Sequence, residues 1–177
     1  MQLRDAEADD LPAILAIYNE VILNSTAVYF EAPVDLANRL AWFEGRRRAG
    51  HPVLVAAEGD EVLGFGSFGD WRPAPGYAAT VEHTVHIRAD RRGQGIGRAM
   101  VATLVERAAA AGKHVILGGI DADNAASIGL HRSLGFEQAA LHREVGRKFG
   151  RWLDLVIMQR RLQRPTAPER SPARRGP

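Results

Sequence analysis

Apolar residues recur at helical spacing in four parts of the chain, each bounded by residues that begin or end helices. The predicted helices cover about residues 11–21, 34–49, 96–111 and 124–134. Asp9 or Asp10 can cap the first helix, and Asp123 or Asn124 can cap the last. The spacing of the apolar residues therefore predicts four helices.

Seven shorter runs are typical of strands, because their residues alternate or are continuously apolar between turn residues. They cover about residues 3–6, 53–57, 61–68, 80–88, 115–120, 136–141 and 152–160. The sequence Glu58-Gly59-Asp60 favours a hairpin, and the segment 69–77, with its prolines and glycines, predicts no regular structure. The resulting order, β-α-α-β-β-β-α-β-α-β-β, contains no repeat and predicts a single α/β domain.

The composition is ordinary for a globular protein, with 177 residues, 46% of them hydrophobic and 25% charged. The chain has no cysteine, which excludes disulfides and cysteine nucleophiles. It has no apolar window long enough to cross a membrane, and its first residues lack the layout of a signal peptide. These features predict a cytoplasmic protein without a membrane partner.

Basic charge is concentrated in residues 163–177, where four arginines and one glutamate give a charge of +3. Subtracting this from the net charge of +2 leaves −1 for residues 1–162. Four prolines and few apolar residues predict that 163–177 is a disordered tail after a folded domain of residues 1–162. Because the pI of 9.4 reflects the tail, nucleic-acid binding is the less favoured interpretation.

The segment Arg92-Gly93-Gln94-Gly95-Ile96-Gly97 lies between a predicted strand and a predicted helix. Its amides can converge on an anion where the helix dipole favours negative charge. A Rossmann site would need a third glycine at Arg98, although Asp121 supplies a suitable acid, and no Gly-Lys-Ser/Thr follows to make a P-loop. A phosphate cradle and a turn that only packs the helix against the sheet both remain open.

This turn is similar to the acetyl-CoA signature of the GCN5-related N-acetyltransferases (GNAT), Arg/Gln-x-x-Gly-x-Gly/Ala, and the resemblance extends over residues 1–162. It implies the GNAT fold, an α/β (α+β) architecture with a mixed, mostly antiparallel, twisted sheet of six to seven strands and about four helices. It also implies acetyl-CoA as cosubstrate, with the turn around the CoA pyrophosphate. The implied cofactor-binding residues are Val85, His86, Ile87, Arg92, Gly93, Gln94, Gly95, Ile96, Gly97, Arg98 and Asn124.

Further segments, in the same order along the chain, resemble the phosphinothricin and methionine-sulfoximine acetyltransferases. They are residues 24–26, 30–31, 69–73, 81–83, 124–131 and 148–152. The resemblance implies acetylation of the amine of a small amino-acid-like acid, such as phosphinothricin, methionine sulfoximine or methionine sulfone, with a role in detoxification and herbicide resistance. It also implies a homodimer, with the loop of Trp71 and residues 148–152 as contact regions.

Glu82 is the predicted general base, acting directly or through water. It lies in a strand among apolar neighbours, where partial desolvation would raise its pKa. The alternative is a carboxylate that satisfies a sheet edge or a neighbouring arginine. Strand alternation predicts that His86 shares the face of Glu82 and that His83 lies on the opposite face.

Three further roles follow from the resemblance. The backbone of residues 85–87 would pair with the pantetheine arm and polarise the thioester carbonyl. Asn124 would contact the CoA arm, although it can also serve only as a helix cap. Many GNAT members protonate the leaving thiolate with a tyrosine where this chain has His131, so the acid here is His131, another residue or none.

The substrate site implied by the resemblance contains Arg72, Pro73, Ala74, Glu82 and Phe30. Arg72 can clamp a carboxylate or phosphinate, or it can be an exposed side chain on a mobile loop. Relatives often carry an aromatic residue at the position of Ala74.

The six histidines lack the spacing of metal ligands, so no metal is expected. Acetylation of a polyamine or a protein N-terminus, and a non-catalytic acyl-CoA-binding module, remain alternatives.

Overall fold

The structure is a computed structural model that describes residues 1–162, so the predicted disordered tail lies outside the described residues. The helices are α1 (Leu11–Asn24), α2 (Leu36–Arg48), α3 (Ile96–Ala110) and α4 (Ala125–Ser133). The strands are β1 (Gln2–Asp5), β2 (Val53–Glu58), β3 (Glu61–Asp70), β4 (Thr80–Ile87), β5 (Val115–Asp121), β6 (Glu137–Lys148) and β7 (Arg151–Arg161). Their order along the chain is the predicted one.

The seven strands form one sheet in the order β1-β2-β3-β4-β5-β7-β6. All neighbouring strands are antiparallel except β4 and β5, which are parallel. The predicted fold class, a mixed and mostly antiparallel sheet flanked by four helices, is therefore confirmed. The parallel pair requires the long connection through α3.

Each face of the sheet buries its own apolar cluster. On one face, Met100 and Leu104 of α3 are fully buried against Val81 of β4. On the other face, α1 and α2 pack on β3, with Ile14 against Phe65. Because side chains alternate along a strand, β4 sends alternate residues into the two layers.

The strands β4 and β5 pair over only a short length. Their register ends with Glu82 opposite Leu117, although both strands continue beyond that rung. On its other side β4 stays paired with β3 as far as Ile87 opposite Gly64. The edge of β4 that faces β5 is therefore open from His83 onward, and the two strands diverge around a cleft.

Two predictions about local structure were wrong. The segment 69–77 is not wholly irregular, since β3 continues through Asp70 by pairing with β4, and residues Pro75–Tyr77 form a 3-10 turn that begins with proline. The strand predicted at 136–141 continues as β6 to Lys148. The extension over residues 142–148 was missed because most of these residues are polar and exposed, and because the bulges between Gln138 and Gly146 break the alternation.

Candidate active site

A cleft of about 560 Å³ opens where β4 and β5 diverge. Its walls are the end of β4, the second half of β5, the turn before α3, the start of α4 and the segment after α1. Ligands of open sheets bind at such points, because the separated strands leave backbone groups unpaired between them. The cleft is the candidate active site.

The glycine turn forms one wall of this cleft. Gly93 and Gly95 have φ angles of 77° and 82°, which glycine adopts without strain, and Gly95 is the N-cap residue of α3. The first amides of α3 have no partner within the helix, so the turn is suited to bind an anion. The predicted residues of the turn that line the cleft are Arg92, Gly93, Gly95, Ile96, Gly97 and Arg98, whereas Gln94 is exposed outside it.

Two arginines place positive charge beside the turn. Arg92 donates from Nε to the carbonyl of Ile87 at 3.1 Å and from Nη2 to Oε2 of Glu20 at 3.1 Å. Arg98 donates to the hydroxyl of Ser133. Both side chains are exposed, so their charges remain available to a bound phosphate.

The end of β4 supplies a row of backbone groups to the cleft. Val85, His86 and Ile87 line it beyond the last β4–β5 pair at Glu82, and the backbone groups of Val85 and Ile87 point to the open edge, since those of His86 face β3. An extended ligand arm with amide groups could pair with this edge as an added strand does. The position of the three residues fits the role that the resemblance implies.

Asn124 is both a helix cap and a residue of the cleft. Its Oδ1 accepts a hydrogen bond from the amide of Ser127 at 3.0 Å, so the predicted capping role is confirmed. The neighbouring Asp121 is buried, and it accepts hydrogen bonds from the Thr26 hydroxyl and from the amide of Asp123 at 3.0 Å. These bonds tie the segment after α1 to the end of β5.

The carboxylate of Glu82 lies at the rim of the cleft. Burial raises the pKa of Glu82, and the Arg46 guanidinium acts in the opposite direction. Glu82 does not line the cleft, but its Oε1 is 3.1 Å from the point where a Cβ on Gly119 would be, and Gly119 does line it. The carboxylate therefore approaches the cleft over a glycine that leaves the path open.

His83 and His131 form a buried pair on the opposite face of the sheet. Nδ1 of His131 is 2.7 Å from the Ser127 carbonyl, which only accepts, so Nδ1 carries the proton. Nε2 of neutral His131 then accepts from Nε2 of His83 at 3.1 Å. Burial lowers the pKa of His131, so the ring is neutral and has no proton on Nε2. This geometry disfavours His131 as the acid, and that role stays a prediction.

His86 points to the other layer, as strand alternation predicts. Its ring packs against Tyr18 of α1 and Phe65 of β3, at centroid distances of 5.8 Å and 5.3 Å. Burial, with the nearby charges of Arg39 and Arg92, lowers the pKa of His86 to about 4. His86 is therefore a neutral wall of the site.

Gly118 and Gly119 are site residues that the sequence analysis missed. A Cβ on Gly118 would be 2.9 Å from Nε2 of His83 and 3.2 Å from Nε2 of His131. One glycine thus makes room for the histidine pair, and the next makes room for the carboxylate of Glu82. The signal was two adjacent glycines inside a buried strand, which indicate close approach by other groups.

Lys148 belongs to the predicted contact region 148–152, but it lies inside the protein and has a role that the sequence analysis did not predict. Its side chain is completely buried, and Nζ donates to the carbonyls of Ile22, Ser25 and Val28 at 2.6, 2.7 and 2.6 Å. Burial lowers the pKa of Lys148. The ammonium replaces missing helical partners at the end of α1 and fixes residues 25–28, of which Ser25 and Ala27 line the cleft.

The predicted substrate residues do not line the cleft. Arg72, Pro73 and Ala74 are exposed on the loop after β3, where the Arg72 guanidinium lies 4.6 Å from the centre of the Trp71 ring. Phe30 is 61% exposed on the segment after α1. Only Glu82 of the predicted substrate residues approaches the cleft, and the roles of the others stay predictions.

Residues 1–162 contain neither a metal-ligand cluster nor a helix that could span a membrane. This part of the chain contains no group of three or more histidine, aspartate or glutamate residues placed to hold a metal ion. No helix in it is both long and apolar enough to span a membrane.

The acetyltransferase (GNAT) family model matches residues 14–136. An L-methionine sulfoximine/L-methionine sulfone acetyltransferase from Pseudomonas paraeruginosa is 56% identical over 161 residues, 90% of this chain and 94% of the relative. The crystal structure of ribosomal-protein-alanine N-acetyltransferase from Brucella melitensis is 48% identical, with a TM-score of 0.90, over 92% of this chain and 100% of that one. A phosphinothricin acetyltransferase from Sinorhizobium meliloti in complex with AcCoA is 39% identical, with a TM-score of 0.88, over 91% and 88%.

Proposed function

Because this chain belongs to the acetyltransferase (GNAT) family, we propose that it transfers the acetyl group of acetyl-CoA to the amine of a small amino-acid-like acid. The observation that carries the proposal is the open edge of β4, which leads from the glycine turn to the carboxylate of Glu82. A candidate base, a row of backbone groups and a candidate phosphate cradle thus follow one another along β4 and the turn after it.

The residues of the cleft fit acetyl-CoA. The amides at the start of α3, between Arg92 and Arg98, would hold its pyrophosphate, because helix dipole and side chains supply positive charge. The backbone of residues 85–87 would pair with the pantetheine arm, and Nδ2 of Asn124, which donates no hydrogen bond within residues 1–162, would contact it. Bound acetyl-CoA supplies the activated thioester.

Glu82 would accept a proton from the substrate amine. Amines are protonated at neutral pH, and a carboxylate whose pKa is raised by burial accepts a proton more readily than an ordinary one. An amide of the β4 edge would donate to the carbonyl oxygen as negative charge develops on it. The leaving thiolate needs no imidazolium, which agrees with the neutral His83–His131 pair.

An amino-acid-like substrate is supported by the sulfoximine/sulfone and phosphinothricin acetyltransferases that this chain resembles. The alternative of a protein N-terminus is favoured by one similar structure, the ribosomal-protein-alanine N-acetyltransferase. A polyamine would favour an acidic pocket, whereas the cleft lining includes three arginines and a single carboxylate, Asp121. Small acids are therefore the first class to test.

The deciding experiment measures thiol release from acetyl-CoA with four amines: methionine sulfone, phosphinothricin, spermidine and a peptide with an N-terminal alanine. The proposal expects turnover with the two small acids to exceed that with the others. Turnover of only the peptide or only spermidine would overturn the proposed substrate class. Binding of acetyl-CoA without turnover of any amine would favour the non-catalytic alternative. A separate measurement on residues 1–162 alone tests the tail, and activity should be retained if the tail has no catalytic role.

A homodimer is part of the proposal. The hairpin of β6 and β7 exposes large apolar side chains, with Val145, Phe149 and Trp152 between 56% and 60% accessible. Exposed apolar groups of this size are typical of protein contacts. Sedimentation of the wild type and of Trp152→Glu tests the assignment, and a monomeric wild type would remove it.

Fractionation of cells tests the predicted cytoplasmic location.

A further inference from the structure

Arg46 extends from the last turns of α2 to the sheet, where its guanidinium lies on the backbone of Gly69. A Cβ on Gly69 would be 1.4 Å from Nη1 and 2.4 Å from Cζ of Arg46, so the guanidinium occupies the space of a side chain. Gly69 is directly opposite Glu82 in the β3–β4 pair. Opposite residues of antiparallel strands share a face, so Arg46 and Glu82 lie side by side under α2.

The guanidinium of Arg46 is partly desolvated without being fully paired. Its Nε is buried and has no hydrogen-bond partner in residues 1–162. Asp70 and Glu82 are close enough to attract it, but burial has the larger effect and lowers the pKa of Arg46. Asp70 instead approaches His51 at 3.2 Å and Lys113 at 3.7 Å. A half-buried cation whose Nε lacks a partner in residues 1–162 is unfavourable, which indicates that an anion completes it.

The carboxylate of Glu82 lies close to β5 and forms no ion pair with Arg46 within residues 1–162. Its Oε1 approaches Gly119 on the neighbouring strand, at the edge of the cleft. Two opposite charges thus lie on one face of the sheet without forming an ion pair in the described part of the chain. An α-amino acid carries a carboxylate and an amine on the same carbon, and it presents the complementary pair of groups.

We propose that Arg46 binds the α-carboxylate of the substrate while Glu82 receives its amine. This assignment rests on the proposed function and names the feature by which the site selects α-amino acids over simple amines. The planar guanidinium matches a carboxylate through two parallel hydrogen bonds. An amine without the carboxylate would leave Arg46 unpaired, and such a loss discriminates strongly between substrates.

The test compares two substrates that differ only in the carboxylate, methionine sulfone and 3-(methylsulfonyl)propylamine. Arg46→Met should lower kcat/KM for the amino acid by about 10- to 100-fold, mainly through KM, because a charge-assisted hydrogen bond is lost. The value for the amine should change by less than about threefold. Arg46→Lys should recover part of the preference. Arg48→Met, an exposed residue on the same helix, should change neither value.

Gly69→Ala provides a second variant that keeps the cation and displaces it, since the added Cβ would overlap the guanidinium. It should reduce the preference for the amino acid over the amine as Arg46→Met does. If Arg46→Met does not fold, the substrate preferences of Gly69→Ala and Arg46→Lys are compared instead. Equal losses for both substrates, or an unchanged preference, would overturn the role of Arg46 alone. A wild type that acetylates neither substrate while binding acetyl-CoA would overturn the proposed function, and this assignment with it.

Discussion

The rings of His83 and His131 are stacked, with an interplanar angle of 11°, centroids 5.1 Å apart and one hydrogen bond between their Nε2 atoms. They come from β4 and α4 and meet only because Gly118 has no side chain. Burial, and then the neighbouring His131, lowers the pKa of His83 to about 3. The cleft therefore contains neutral imidazoles at physiological pH.

This burial makes the stability of the fold depend on pH. Unfolded His83 and His86 take up protons near pH 6.5, whereas the folded residues do so only near 3 and 4. The contribution of the two neutral histidines to the free energy of unfolding is therefore complete above pH 6.5. It is lost as the pH falls, at up to about 1.4 kcal/mol per pH unit for each histidine. Chemical denaturation at several pH values between 7 and 5 should show that the free energy of unfolding falls less steeply with pH in His86→Gln than in the wild type. Exposed His142→Gln is the control, and equal slopes for all three proteins would contradict the prediction.

Glu82→Gln should reduce kcat by about 100-fold or more, because a general base contributes this much. Burial raises the pKa of Glu82, so its ionised form costs stability at pH values above the ordinary carboxyl pKa. The variant should therefore be at least as stable as the wild type at pH 7. The acid limb of the wild-type pH–rate profile should lie above the usual carboxyl range and disappear in the variant. Full rate at every pH would exclude Glu82 as the base, and exposed Glu137→Gln serves as control.

Gly95→Ala should weaken acetyl-CoA binding and cost about 1–2 kcal/mol of unfolding free energy, because its φ angle of 82° strains an alanine. Gly112→Ala is the matched control. Its φ angle is 72°, and at neither position would a Cβ meet an atom within 4 Å, but Gly112 lies at the other end of α3. Calorimetric titration with acetyl-CoA separates the two variants. Equal loss of affinity would mean that strain, and not the anion cradle, causes the effect.

Lys148→Met should lower the free energy of unfolding by about 2–4 kcal/mol, because three buried or partly buried carbonyls lose their donor. It should also raise KM, since Lys148 fixes residues 25–28 at the cleft. Lys113→Met is the control, because Lys113 donates to one carbonyl, that of Ala78, at 2.7 Å. Thermal denaturation and steady-state kinetics measure both effects. If the two variants lost similar amounts of unfolding free energy and changed KM equally, the contact of Lys148 with three carbonyls would not explain the effect.

The sequence was sufficient for most of the elements, because apolar spacing reports which face each helix and strand buries. It predicted the hairpin at Gly59 and the capping role of Asn124 from local turn and cap chemistry alone. It failed for the second half of β6, residues 142–148, where most of the strand is polar and exposed and carries little apolar signal. It also failed at Gly118, because the need for a glycine there comes from two histidines distant in sequence.

By itself, the sequence determined the order of the elements, the glycine turn before α3 and the family that its motifs resemble. These are local properties, set by spacing, glycine and caps within a few residues. Only the tertiary structure decided that Glu82 lies beside Arg46, that His83 bonds to His131 and that Lys148 holds the end of α1. Each pair joins residues far apart along the chain, and the register of a sheet and the packing of helices on it determine which of them meet.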